Sequence, residues 1–260
     1  MITAESKRNQ HSSGKGKELE TVINVEHLAV SFGDQEVLKD LTLKLYKGEN
    51  LVVLGKSGTG KSVLIKCIVN LVIPDSGKIE VLGSELHTLK KREMEDLRAK
   101  IGFLFQSAAL YDSMTVKQNL EFPLTRVHKD MNREQIDAKV MEVLENVGLP
   151  DTLDKMPSQL SGGMRKRIGL ARTIIVDPLI LLYDEPTTGL DPITSDEISL
   201  LINAVQEKYK TSSIIITHDI ECVRAVADRI IMIDEGKVYM EGTLEEFEKS
   251  DDPIIKSYFK

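Results

Sequence analysis

From Asn24 the chain alternates between apolar and polar positions. Val25, Leu28, Val30 and Phe32 precede Gly33-Asp34, and Val37, Leu38, Leu41, Leu43 and Leu45 follow it. A period of two broken at a turn pair predicts two antiparallel strands with one wet face. Pro74-Asp75-Ser76-Gly77 marks a turn, and Lys78–Leu82 a further short strand. Elsewhere the alternation disappears. Leu51–Leu54, Ile101–Phe105, Leu179–Tyr183 and Ile214–Thr217 are almost wholly apolar, the pattern of strands covered on both faces of a parallel sheet.

Helical periodicity fills the intervals. Val63–Leu71 follows the first buried strand, and Glu85–Lys100 is a charged loop plus helix. Ile136, Val140, Val143-Leu144 and Val147 recur at helical spacing until Gly148 and Pro150 end the run. Residues 112–156 carry no strand signal and read as a small all-helical insertion. Further helices are expected from Ser161 to about Val176, over Asp196–Lys210 and over Val223–Ile230. Ile230–Asp234 and Lys237–Glu241 form a hairpin about Glu235-Gly236. Strands alternating with helices make the chain α/β.

Composition narrows the partners. The 260 residues carry a formal charge of −7, which argues against binding nucleic acid through bulk electrostatics. The two cysteines, Cys67 and Cys222, have neither disulfide-framework nor metal-ligand spacing; Cys67, in the apolar helix after the phosphate loop, reads as a reduced, buried thiol, and a cytosolic setting fits. No apolar run approaches the roughly 18 residues that span a bilayer. Residues 1–20 are polar without an apolar centre, so a flexible leader is expected there rather than a signal peptide.

Chemistry concentrates where buried strands end. After Leu51–Leu54 comes Gly55-Lys56-Ser57-Gly58-Thr59-Gly60-Lys61-Ser62, and then a helix. Glycines let such a loop turn its backbone N–H groups onto one anion, and the helix N-terminus adds positive potential there. Lys61 can reach the β- and γ-phosphates and Ser62 can sit on Mg²⁺. This is a nucleoside-triphosphate site. Ile101–Phe105 ends in Gln106, either a surface loop residue or a metal or water ligand. Leu179–Tyr183 ends in Asp184-Glu185, where Asp184 can hold Mg²⁺ and Glu185 can act as general base. Ile214–Thr217 ends in His218, able to bond a γ-phosphate or to make an ordinary structural hydrogen bond. Ser161-Gly162-Gly163 opens a second helix with a hydroxyl and bare amides. Arg165, Lys166 and Arg167 behind it read as a solvated face. Phe32 is either core packing or a surface on which a nucleobase stacks.

These motifs in this order resemble the nucleotide-binding subunit of ATP-binding-cassette (ABC) transporters, over about residues 22–245. The resemblance implies a P-loop NTPase cassette with a RecA-like core, an N-terminal antiparallel β-subdomain and a helical subdomain over about 107–175, followed by a tail over 246–260. It implies ATP and Mg²⁺ as ligands. Gln106 stands at the Q-loop, Leu160–Met164 at the signature, Asp184-Glu185 at Walker B, Gly189-Leu190-Asp191 at the D-loop, and His218 at the switch histidine. Phe32 takes the place of the adenine-stacking aromatic. Two copies would pair head to tail, each ATP lying between the phosphate loop of one and the Ser161-Gly162-Gly163 helix of the other, with Asp191 facing the partner.

Two positions depart from the common pattern: Met164 replaces Gln, and Lys56 replaces Pro. Neither removes a phosphate-binding group. With Phe105–Ser113 and Gly163–Arg167, they resemble the Mla/Mce-type lipid transport ATPases. That resemblance implies a membrane permease, an Mce-domain lipid-binding partner, and a cytoplasmic place on the inner face of the membrane. The alternatives are a soluble ABC ATPase of translation or DNA repair, or a cassette serving another substrate.

Overall fold

Runs of Val, Ile and Leu without polar interruption can only be satisfied where both faces of a strand are covered. The computed structural model describes residues 19–259 and places those runs in the middle of a mixed sheet. β1 (Thr21–Phe32) and β2 (Gln35–Tyr46) form the expected antiparallel pair, with Phe32 opposite Gln35 at the turn. β3 (Asn50–Leu54) leaves this hairpin for a second sheet. After α1 (Lys61–Ile68), β4 (Ser76–Val81) and β5 (Ser84–Glu85) return to complete a four-stranded sheet in the order β2-β1-β4-β5. α2 (Lys91–Arg98) then leads to β6 (Ile101–Leu104).

The helical stretch holds α3 (Val116–Val127), α4 (Arg133–Asn146) and α5 (Gly162–Ile174). α3 buries Val116, Leu120 and Leu124 at helical spacing and contains Pro123. It is anchored by Asn119, which is fully buried, accepts from the Tyr111 N–H, and donates to the Tyr111, Met114 and Thr115 carbonyls. β7 (Ile180–Asp184), α6 (Pro192–Tyr209), β8 (Ser212–Thr217), α7 (Ile220–Val226), β9 (Arg229–Asp234) and β10 (Lys237–Gly242) follow. The helix expected over Val223–Ile230 therefore ends four residues early. Arg229 and Ile230 pair with Leu51 and Val52 of β3, and sheet pairing overrides the local helical signal.

The second sheet runs β10-β9-β3-β8-β7-β6. β9, β3, β8, β7 and β6 are parallel, and β10 pairs antiparallel with β9. Alternate residues of its strands feed two cores. Val52, Leu54, Leu181, Tyr183 and Ile215 face the helices α3–α7. Leu51, Val53, Leu182, Ile214 and Ile216 face α1 and the four-stranded sheet. Each core is thus a layer sealed by a different partner.

Residues 1–18 of the leader expected at the N-terminal end lie outside the described residues, and β1 begins at Thr21. The tail over 246–260 is not bare: it is helical in α8 (Leu244–Glu248) and α9 (Pro253–Phe259). Phe247 and Ile255 are buried in the helix-side core. No helix among the described residues is long and apolar enough to cross a membrane.

Candidate nucleotide site

In an open parallel sheet, ligands bind beyond the carboxyl ends of the strands. The order β3-β8-β7-β6 sets four such ends side by side. They carry, in turn, the phosphate loop, His218, Asp184-Glu185 and Gln106. Residues separated by more than 160 positions in sequence meet because their strands are neighbours. A cavity of about 530 Å³ lies there, with the phosphate loop, Gln106, Glu185 and His218 in its walls.

The phosphate loop is fitted to its neighbours as well as to an anion. Gly60 adopts φ 95°, and a Cβ there would lie 2.6 Å from Leu38 Cδ2 and 3.0 Å from the Val37 carbonyl. Only glycine serves at this position. Gly60 is also the N-cap of α1 and gives it no side-chain cap, so the first-turn N–H groups have no side-chain acceptor. Lys61 is buried, and its Nζ donates to the Gly55 and Lys56 carbonyls at 2.6 and 2.8 Å. Burial lowers its pKa below the ordinary lysine value, with the Glu185 and Asp184 carboxylates opposing. Thr59 Oγ1 closes the loop on the Lys56 carbonyl.

Ser62 Oγ donates to Asp184 Oδ1 at 2.9 Å. A hydroxyl and a carboxylate side by side, with the Gln106 amide on the same cavity, are the hard oxygen donors Mg²⁺ takes. The uncapped helix start, the loop amides and the ammonium group likewise fit a polyphosphate. Residues and ligand class agree.

Glu185 follows β7 in a left-handed conformation, φ 50°. Its N–H donates to the Ile216 carbonyl at 2.9 Å, tying it to β8. Oε2 accepts from Thr188 Oγ1 at 3.0 Å and lies 2.8 Å from His218 Nδ1. The carboxylate can only accept, so Nδ1 carries the proton of that bond. Thr187 donates to Asp219, which caps α7, and so the loops after β7 and β8 are joined.

The other expected residues lie apart. Ser161, Gly162, Gly163 and Asp191 are not among those lining the cavity. Ser161 Oγ caps α5 by accepting from the Met164 N–H at 3.2 Å. Gly163 has a packing reason of its own, since a Cβ there would lie 2.4 Å from Thr194 Cγ2. Asp191 caps α6, accepting from Thr194 N and Oγ1 at 3.0 and 2.6 Å. These bonds hold its carboxyl below the ordinary value. Phe32 is 52% exposed at the end of β1 and does not line the cavity.

In the basic run read as a solvated face, Arg165 is exposed and Arg167 half-buried, and the structure corrects the reading of Lys166. Lys166 is 5% exposed rather than solvated, and burial lowers its ammonium pKa. Arg165 Nη1 donates to the Leu160 carbonyl, and Arg167 pairs with Glu197. Tyr258, from a tail that shows no chemistry in the sequence, lines the cavity, as does Val37 of β2. The periodicity of β2 does signal that Val37 lies in a strand, but not which strand ends it faces. Both cysteines are buried, which pushes Cys67 up to about 11 and Cys222 up to about 12.

A family model described as "ABC transporter" matches residues 38–188. The probable ribonucleotide transport ATP-binding protein mkl of Mycobacterium leprae is 39% identical over 91% of this chain and 68% of its own length. The intermembrane phospholipid transport system ATP-binding protein MlaF of Haemophilus influenzae is 37% identical over 93% of this chain and 91% of its own. The ATP-binding cassette MJ0796, in a dimeric post-hydrolysis state bound to ADP and Pi, superposes with a TM-score of 0.78 at 30% identity, covering 85% of this chain and 98% of that one. With four strand ends converging on one phosphate loop, these likenesses leave a single assignment: the chain belongs to the ABC transporter family, as an ATP-binding and ATP-hydrolysing subunit.

Proposed function

We propose that this cassette energises the movement of phospholipid between membranes. The observation that carries the reading is the near end-to-end likeness to the intermembrane phospholipid transport protein of Haemophilus influenzae. The sequence around Gln106 and the Met164-Arg165-Lys166-Arg167 run support it. The likeness to a probable ribonucleotide transport protein favours a second reading, the same machine serving another substrate.

In this reading ATP lies on the phosphate loop with its base against Phe32, and Lys61 balances the β- and γ-phosphate charge. Ser62, Asp184 and Gln106 would hold Mg²⁺, which would supply positive charge to the phosphate oxygens. Glu185 accepts the proton of the attacking water. His218 holds that carboxylate and reads the γ-phosphate. Ser161, Gly162 and Gly163 of a second copy close over the nucleotide, with Asp191 at the same face, so ATP joins two copies and hydrolysis parts them. The cassette sits on the cytoplasmic face of the membrane through a permease, with an Mce-domain lipid-binding protein as the further partner.

Capture of the protein from detergent-solubilised native membranes, with mass spectrometry of proteins and lipids, tests this. A permease, an Mce-domain partner and bound phospholipid are expected. A permease with another kind of solute-binding partner discards the lipid substrate, and no membrane partner at all discards the transporter role.

A further inference from the structure

α5 does more than present Ser161-Gly162-Gly163. Lys166, in its second turn, is buried, and its Nζ donates to the carbonyl oxygen of Glu185 at 3.0 Å. This is the one hydrogen bond of that ammonium group among the described residues. It reaches 19 residues along the chain to the peptide of the residue placed above as the base.

That peptide needs holding. A non-glycine residue at φ 50° occupies a sparsely populated conformation, which persists only where its surroundings fix it. On the N–H side the Ile216 carbonyl of β8 fixes it, and at the side chain Thr188 and His218 do. On the carbonyl side the oxygen accepts from the Lys166 ammonium at 3.0 Å and, at the longer distance of 3.4 Å, from the Thr188 N–H of its own turn. A water carbonyl partner would be free to tumble, whereas an ammonium on a packed helix is not.

We propose that Lys166 is a positioning residue for hydrolysis: it locks the Glu185 peptide so that the carboxylate stays aimed into the nucleotide cavity. The inference rests on the reading of Glu185 as general base.

The test uses the full chain assembled with its permease. Steady-state ATPase is measured for wild type, Lys166→Met, Lys166→Arg and Glu185→Gln, with nucleotide affinity and melting temperature taken on each. Misplacement of a catalytic group by about 1 Å can cost ~100-fold. Lys166→Met is therefore expected to lose roughly 10- to 100-fold in kcat with KM for ATP and nucleotide affinity within about 2-fold of wild type. Lys166→Arg, which keeps a cation that donates, is expected to recover most of the loss. Wild-type kcat in Lys166→Met overturns the proposal. So does a loss shared between KM, affinity and melting temperature that Lys166→Arg fails to rescue, since that marks packing alone. If Lys166→Met does not fold, Lys166→Leu, which likewise removes the donor, carries the same criteria. Glu185→Gln separates the two ideas: wild-type turnover there removes the base assignment, while lost turnover there with an unaffected Lys166→Met removes only the link.

Discussion

Two helices of this protein begin in motifs whose pattern predicts phosphate binding, and they are built in opposite ways. α1 starts at Gly60, buried against β2, with no side-chain cap and a lysine folded back into its own loop. α5 starts at Ser161, whose hydroxyl satisfies one of the free amides, and its first turn lies against the N-terminus of α6. The first start is completed by three other strand ends of its own chain. The second has no catalytic side chain in its first turn, and in the chain alone it faces none of the cavity. An α-helix N-terminus is thus a site only when its surroundings finish it. Here one helix is finished in the fold, and in the proposed function the other is left for a second copy.

The contrast can be broken from the α1 side first. Lys61→Ala and Glu185→Gln are each expected to lower phosphate release by about 10²–10³-fold, as removal of a transition-state group does elsewhere. Lys61→Ala is expected to weaken nucleotide binding to the isolated chain as well, and Glu185→Gln to spare it. Undiminished phosphate release in either would show that the cavity is not where hydrolysis happens.

On the α5 side the expected losses are smaller and spare nucleotide binding. Gly163→Ala drives a methyl into Thr194 and is expected to cost about 1–3 kcal/mol in urea denaturation. Thr194→Ser, which deletes the opposing methyl, should restore most of it in the double variant. Additive costs would mean the two residues do not press on one another. Ser161→Ala removes a helix cap and is expected to cost about 1 kcal/mol. Its nucleotide affinity, measured on the isolated chain by fluorescence, should equal that of wild type, and a shared loss would erase the distinction between the two helices.

The smallest effect is electrostatic. The Asp191 carboxyl titrates below its ordinary value of 3.8 in the folded chain, because Thr194 donates to its charged form. Its capping contribution is therefore fully present above the unfolded value and is lost as pH falls through the lower folded one. Denaturation midpoints of wild type and Asp191→Asn should differ above about pH 4 and converge in stronger acid. An NMR titration of the Asp191 carboxyl with its midpoint at or above 3.8 contradicts the cap.

What could be read from the sequence follows how far apart the interacting residues are. Strand, loop and helix around Lys61 are contiguous, so the glycine spacing and the apolar run before it sufficed. The wholly apolar strands were equally plain, because burial on both faces leaves a local trace. Lys166 left none: a basic triplet looks the same whether its middle member points to water or to the carbonyl of Glu185. Tyr258 and Val37 reach the cavity only through the docking of α9 and β2. The end of α7 was misplaced because Ile230 continues an apolar helical stripe until β3 claims it as a strand partner.

The position of β3 has a temporal consequence. It lies between β8 and β9, so neither lateral partner of the phosphate-loop strand exists until about 160 further residues have been joined to Leu54. At roughly 5–20 residues per second, that is a wait of about 8–30 s during synthesis. A growing chain carries the glycine-rich loop early and cannot hold it in shape. A nucleotide added to stalled ribosomes should therefore be retained only by chains long enough to have released β8 and β9.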